Sequence, residues 1–315
     1  MPAHKPLRPA NVLAAIDYGE AHARLTPMPR YYIANRQLGG ALREVWTSAE
    51  PPHFERHDDV ALCRTDTYLA GFVQTAVCKS SIEWASQMLM RKVLRLVTER
   101  SYSRLLRFWN YVPAINRAHD GLEHYHRFCI GRHKAFIAHG CEIAREAPAA
   151  TAVGHIAQTL AIFFIATNRP LVAIENPRQL SAYRYPRQYG PRSPSFARAV
   201  LSGDPRKGDA QLFLSGTASI VGHRSLHDNA TAQTEETLLN IRVLIEQAER
   251  QCGALFDWND AIALKVYLRN VADLARVKEM IAAVLPTTQT LFLQADICRS
   301  ELKVEIEGVW NCRSA

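Results

Sequence analysis

ICRSELKVEIEGV occupies residues 297–309, and its core alternates. From Lys303 to Glu307 the alternation is strict, so a strand here sends Val304 and Ile306 to one face and Lys303, Glu305 and Glu307 to the other. An apolar strand face needs something to lie on, and the preceding sequence supplies it. TLFLQADI (290–297) is strand-like, and VADLARVKEMIAAVL (271–285) has helical spacing stopped by Pro286. AIALKVYLRN (261–270) reads as another strand. In TAQTEETLLNIRVLIEQAERQCG (231–253), Leu238, Ile241, Ile245, Ala248 and Cys252 form one helical stripe. Asp228 and Asn229 offer its start and Gly253 its stop. With AQLFLSGTASIVG (210–222) as the leading strand, the order is β-α-β-α-β-β.

The same order is legible upstream. TYLAGFVQTAV (67–77) is a strand, and IEWASQMLMRKVLRLVTER (82–100) a helix with Trp84, Met88, Val93 and Leu96 among its apolar positions. RLLRFWNYVPAI (104–115) is a strand, and GLEHYHRFCIGRHKAFIAHG (121–140) a helix closed by Gly140. AQTLAIFFIAT (157–167) and PLVAIENP (170–177) supply the last two strands. The expectation is a duplicated α+β fold with mixed sheets and helices packed on one face. Residues 1–175 form the first half and 210–315 the second, joined by a loop over 176–209 rich in Pro, Tyr and Arg. A long aperiodic segment with aromatics points to an ordered binding loop. Residues 1–30 carry no strong signal.

The 315 residues carry a net charge of +8, but the arginines are spread out and no dense basic block occurs. A small anionic substrate accounts for that charge as well as nucleic acid does, and no nucleic-acid partner is expected. Seven cysteines, at 63, 78, 129, 141, 252, 298 and 312, form no CxxC pair and are odd in number. They read as reduced thiols in a cytoplasmic protein. No apolar run reaches bilayer length, so no membrane partner is expected, and the first twenty residues lack a signal-peptide core. His124 and His126 do not share a helix face. His223 and His227 sit in loop-like sequence without a third ligand, so no metal is expected. No P-loop, dinucleotide fingerprint or GxSxG elbow is present. Arginines, tyrosines, a late cysteine and paired glutamates remain. Arginine forks suit a substrate with more than one carboxylate, and a buried glutamate suits a general acid.

Several strings are recognisable. FLSGTASIVGH (213–223), AQTEETLLNI (232–241), LKVEIEGV (302–309), WNYVPAIN (109–116), FCIGR (128–132) and YGPRSPSFAR (189–198) resemble the chorismatase family. They run in family order from about residue 60 to the end, and the second half looks like the RidA-type fold, whose final strand carries an EIE motif. The resemblance implies cleavage of the enolpyruvyl ether of chorismate, with Glu305 protonating its methylene carbon and no metal or organic cofactor. It implies glycine and cysteine, here Gly216 and Cys298, in the branch forming 3-hydroxybenzoate and pyruvate, also with 4-hydroxybenzoate. The hydrolytic branch, giving a dihydrodiol, has alanine at both. Gly216 is expected to leave room beside the ring, and Cys298 to place a thiol near it.

By motif position, Arg132, Arg198 and Arg192 are expected at the carboxylates, and Tyr125 and Tyr189 at the ring or its hydroxyls. The resemblance to members that release both hydroxybenzoates implies products that feed aryl-polyene pigment and ubiquinone pathways. RidA proteins are trimers with sites between subunits. A duplicated chain satisfies part of that interface itself, so a monomer or a homotrimer is expected. A RidA-like enamine/imine deaminase and a basic binding module stand as alternatives.

Overall fold

The computed structural model describes residues 11–19, 29–77 and 82–313; Cys78 and much of the first thirty residues lie outside them. Two copies of one topology dominate. In the first half, β1 (Tyr68–Ala76), α1 (Ile82–Glu99), β2 (Arg104–Pro113), α2 (His124–Ala138), β3 (Ala149–His155) and β4 (Thr159–Thr167) follow in order. Strand β4 lies antiparallel between β1 and β2, and β3 runs parallel beside β2. Next come β5 (Leu171–Ile174) and β6 (Ala199–Ser202), then β7 (Gln211–Ala218), α3 (Ala230–Cys252), β8 (Ala261–Leu268), α4 (Leu274–Val284), β9 (Gln289–Gln294) and β10 (Val304–Asn311). Strand β10 lies antiparallel between β7 and β8, with β9 parallel to β8. Both halves are therefore β-α-β-α-β-β with matching strand neighbours, the α+β duplication the alternation and helical periods predict.

The strand assignment of the first half shifts by one. AATAVGH (149–155) is its third strand, AQTLAIFFIAT its fourth, and PLVAIENP leaves that sheet. Its Leu171–Ile174 pairs with Ala199–Ser202 at the edge of the second sheet. Of the four apolar positions named in helix α1, Val93 and Leu96 face inward. Trp84 and Met88 are 61% and 43% exposed, while Ala85, Leu89, Val93 and Leu96 are buried. Helix α2 crosses α1 at Gly131, where an added Cβ would lie 2.1 Å from the Glu83 carbonyl oxygen. The predicted ends of α3 hold. The Asn229 side chain accepts from the Ala232 N–H, and Gly253 closes the helix at φ +64°.

Helices cover one face of each sheet. Val304 and Ile306 of β10 are fully buried against α3 and α4 in the second half's core, each contributing about 1.5–3 kcal/mol by burial. The opposite faces of the two sheets meet in a shared aromatic core that includes Trp109, Phe163, Phe213 and Tyr267. A small N-terminal sheet, Val12–Tyr18 flanked by Arg30–Ile33 and Glu44–Thr47, packs into that core; of it, the sequence gives no warning. The glutamate face of β10 is thus buried between sheets. Among the described residues, no helix is long and apolar enough to cross a membrane.

Candidate active site

Two small cavities, of about 40 and 50 Å³, adjoin where the halves meet. Both are lined by Tyr125, Pro194, Phe196, Gly216, Cys298 and Glu305. One lobe extends to Asn110, Arg132 and Thr151, and the other to His126, Tyr185, Tyr189, Arg198 and Arg299. The first half supplies α2 and the β2 and β3 strands. The second half supplies β7, β10 and the turn before β10. The connecting loop closes the site with Pro194, Phe196 and Arg198.

Glu305 pairs in register with Ala218 and Tyr267 and is 4% exposed. Among the described residues it has neither a hydrogen bond nor an ion pair. Burial, followed by the Glu307 carboxylate, pushes its carboxyl up to about 8, against the pull of Arg107 and Arg198. At neutral pH it holds its proton. Glu307 lies on the same strand face in the opposite environment. It accepts from Arg107 Nη2 at 2.7 Å and Trp109 Nε1 at 2.6 Å, and from the Thr151 hydroxyl, with Lys265 Nζ at 3.0 Å. Burial would raise its pKa too, but Lys265 and Arg107 outweigh that and hold it low. Two carboxyls separated by one residue are driven to opposite protonation states, the arrangement that separates an acid from a fixed charge.

Gly216 is what lets the acid sit here. The β7–β10 register slips between Leu214 and Thr217. At Gly216 an added Cβ would fall 2.0 Å from Glu305 Oε1 and 2.7 Å from its Cδ. Gly216 borders both lobes, and the nearest atoms beside it are those of the Glu305 carboxyl.

Three arginines reach the lobes without a carboxylate at ion-pair distance among the described residues. Arg132 is buried, lies over Phe108 and Phe136, and donates to Asn110 Oδ1 at 3.3 Å and the Ser195 carbonyl at 3.1 Å. Burial lowers its pKa to about 10. Arg198 donates to the Leu180 carbonyl and the Tyr185 hydroxyl, both at 2.7 Å. Arg299 donates to the His223 carbonyl at 2.9 Å and stacks 3.9 Å above the Tyr189 ring. Each keeps a buried nitrogen without an acceptor: Nε in Arg132 and Arg198, Nη2 in Arg299. Buried guanidinium donors left open cost free energy unless an anion meets them.

Cys298 lines both lobes, and burial, then Glu305, drives its thiol well above the ordinary range, so it is a neutral thiol. Burial raises the Tyr125 phenol as well, with Cys129, Cys298 and Glu305 around it. Tyr189 lies against His223 and Arg299. Of the sequence-derived residues, Glu305, Cys298, Arg132, Arg198, Tyr125, Tyr189 and Gly216 converge here. Arg192 does not: it is exposed and lines neither lobe. Sequence reasoning passes over Arg299, Tyr185 and the Arg107–Lys265 support of Glu307. Arg299 stands beside Cys298 in the opening string, and that adjacency is the available signal. Among the described residues, no group of three or more His, Cys, Asp or Glu side chains is placed to hold a metal ion.

A duplicated α+β chain with a protonated carboxyl and uncompensated arginines between its halves has the features of an enzyme for a small acidic substrate. Comparison with known proteins gives the family. Residues 44–166 match the family model described as "Chorismatase FkbO/Hyg5-like, N-terminal". A chorismatase of Streptomyces hygroscopicus is 37% identical over 310 residues, covering 95% of this chain and 89% of that protein. A 3-hydroxybenzoate synthase of the same organism is 37% identical over 280 residues, covering 84% of this chain and 80% of that protein. A chorismatase crystal structure superposes with a TM-score of 0.88 at 37% identity, covering 96% of this chain and 93% of that one. The chain belongs to the chorismatase family.

Proposed function

We propose that this protein converts chorismate to pyruvate and 3-hydroxybenzoate, with 4-hydroxybenzoate as a further product, and that Glu305 is the general acid. The observation that carries this reading is the buried, protonated Glu305 carboxyl at the junction of two lobes whose arginines lack carboxylate partners. Chorismate has two carboxylates. Arg198 acts electrostatically on Glu305, so the lobe of Arg198 and Arg299 suits the enolpyruvyl carboxylate, and Arg132 suits the ring carboxylate. Protonation of the enolpyruvyl methylene by Glu305 makes an oxocarbenium-like carbon. The ring hydroxyl then attacks the neighbouring ring carbon and loses its proton. The ether bond breaks with its electron pair passing to oxygen, and pyruvate leaves. The resulting arene oxide opens as its oxygen takes back the hydroxyl proton, and loss of a ring proton gives the aromatic product. That proton replaces the one Glu305 spent, so substrate and products balance without water.

Support for this branch over the hydrolytic one comes from Gly216 and Cys298. An alanine methyl at 216 would require the Glu305 carboxyl to turn away from its present position. Cys298, neutral and beside Glu305, is proposed to bias product choice. Incubation with chorismate, a pyruvate assay and chromatography of the aromatic products test the reading. No pyruvate refutes it, and a non-aromatic diol moves the protein to the hydrolytic branch. Cys298→Ala is expected to change the product ratio more than chorismate consumption; an unchanged ratio removes Cys298 from product choice.

A further inference from the structure

Behind Glu307 the chain of charges continues to a residue that lines neither lobe. Lys265 Nζ lies 3.0 Å from Glu307 Oε1 and 2.8 Å from Glu44 Oε2. Glu44 belongs to the N-terminal strand Glu44–Thr47, accepts from Trp46 Nε1 at 2.8 Å and is bonded by the Tyr18 hydroxyl. Tyr18 in turn lies 3.3 Å from the Tyr111 hydroxyl. Arg107, Glu307, Lys265 and Glu44 thus form an alternating row of two cations and two anions, closed at its far end by phenols. All four side chains are at most 12% exposed.

We infer that Lys265 and Glu44 are positioning residues for the acid: with Arg107 and Glu307 they balance to zero charge, leaving Glu305 the one carboxyl at the centre without a counter-ion. The inference rests on Glu305 being the general acid. The groups acting on Glu305 are Glu307 on its own strand, Arg107 on β2, Arg198 beside β6, Tyr125 on α2 and Cys298 in the preceding turn. Arg198 is already engaged by Leu180 and Tyr185. Tyr18, Tyr111 and Tyr267 also feel the row, but burial keeps their phenols neutral, so Glu305 is the group whose proton a charge removed from the row is left to move. Deleting the anion of Glu44 leaves a net cation, which favours ionised Glu305. Deleting the cation of Lys265 does the reverse.

The test is the pH profile of pyruvate release from chorismate by the full chain. Glu44→Gln is expected to move the alkaline fall in kcat/KM down by about half to one pH unit, as expected for one charge roughly 10 Å away in a partly polar interior. Lys265→Met should move it up, and Glu44→Gln/Lys265→Met should restore it. A merely structural role predicts added damage in the double variant, and that result overturns the inference. If Lys265→Met does not fold, Glu44→Gln alone decides, because a Glu305 titration unmoved in both the rate profile and the unfolding measurement below refutes the charge balance. The pH dependence of unfolding, compared with and without Glu305→Gln in each background, follows the Glu305 proton independently of catalysis. A shift there with an unmoved rate profile overturns the general-acid reading but keeps the charge balance; no shift in either overturns the balance.

Discussion

Replacing Glu305 with glutamine should make the protein more stable as the pH rises. The folded chain holds the Glu305 proton up to about pH 8, whereas the ordinary glutamate value is 4.5. Between those values the folded state binds a proton that the unfolded chain has released, so wild type loses stability as pH increases. The gap, at about 1.4 kcal/mol per pH unit, amounts to about 5 kcal/mol above pH 8 and about 3 kcal/mol at pH 7. Glutamine is neutral at every pH and nearly the same shape, so it escapes this cost. Below pH 4.5 the variant and wild type should unfold alike. Urea titrations at pH 4.5, 7 and 8.5 measure the difference, and a pyruvate assay checks that release is abolished. A stability difference that stays flat across this range would refute the argument that burial keeps Glu305 protonated.

Glu307→Gln leaves Arg107 and Lys265 without their shared carboxylate and should destabilise by about 3–5 kcal/mol at neutral pH, read by the same titrations. Gly216→Ala should displace the acid and lower kcat at least tenfold with the fold retained by circular dichroism; full activity would mean that Glu305 works from another position. Arg299→Met should raise KM for chorismate about tenfold or more, as loss of a charged hydrogen bond predicts, whereas Arg192→Ala should leave KM within about twofold.

The second half was readable because its elements are amphipathic. Val304 and Ile306 alternate with charged residues, and α3 repeats its apolar stripe between a capping Asn229 and a terminal Gly253. Strand 149–155 escaped because its residues are small for a reason that lies elsewhere in the chain. At Gly154 an added Cβ would stand 2.9 Å from the Asp296 Cβ, and Val153 bridges to Ile297. Such close packing leaves no alternating pattern. Trp84 and Met88 are apolar at helical spacing like Val93 and Leu96, but the buried face of α1 runs through Ala85, Leu89, Val93 and Leu96 and leaves the first two outside it. Within the site, motif resemblance brought Glu305, Gly216 and Cys298 into view. What separates Glu305 from Glu307 was not legible, because it depends on Arg107, 200 residues away in sequence, and on Lys265 and Trp109.

The contact between Gly216 and Glu305 also limits how such a protein can evolve. Position 216 and the rotamer of the acid form one linked trait, since a single methyl group at 216 claims the space of a carboxylate oxygen. A lineage acquiring a side chain there has to turn its proton donor to a new rotamer and so changes the donor's aim at the substrate. Changes of reaction outcome along that route should therefore arise as paired substitutions around the β7 register slip, and seldom as isolated ones.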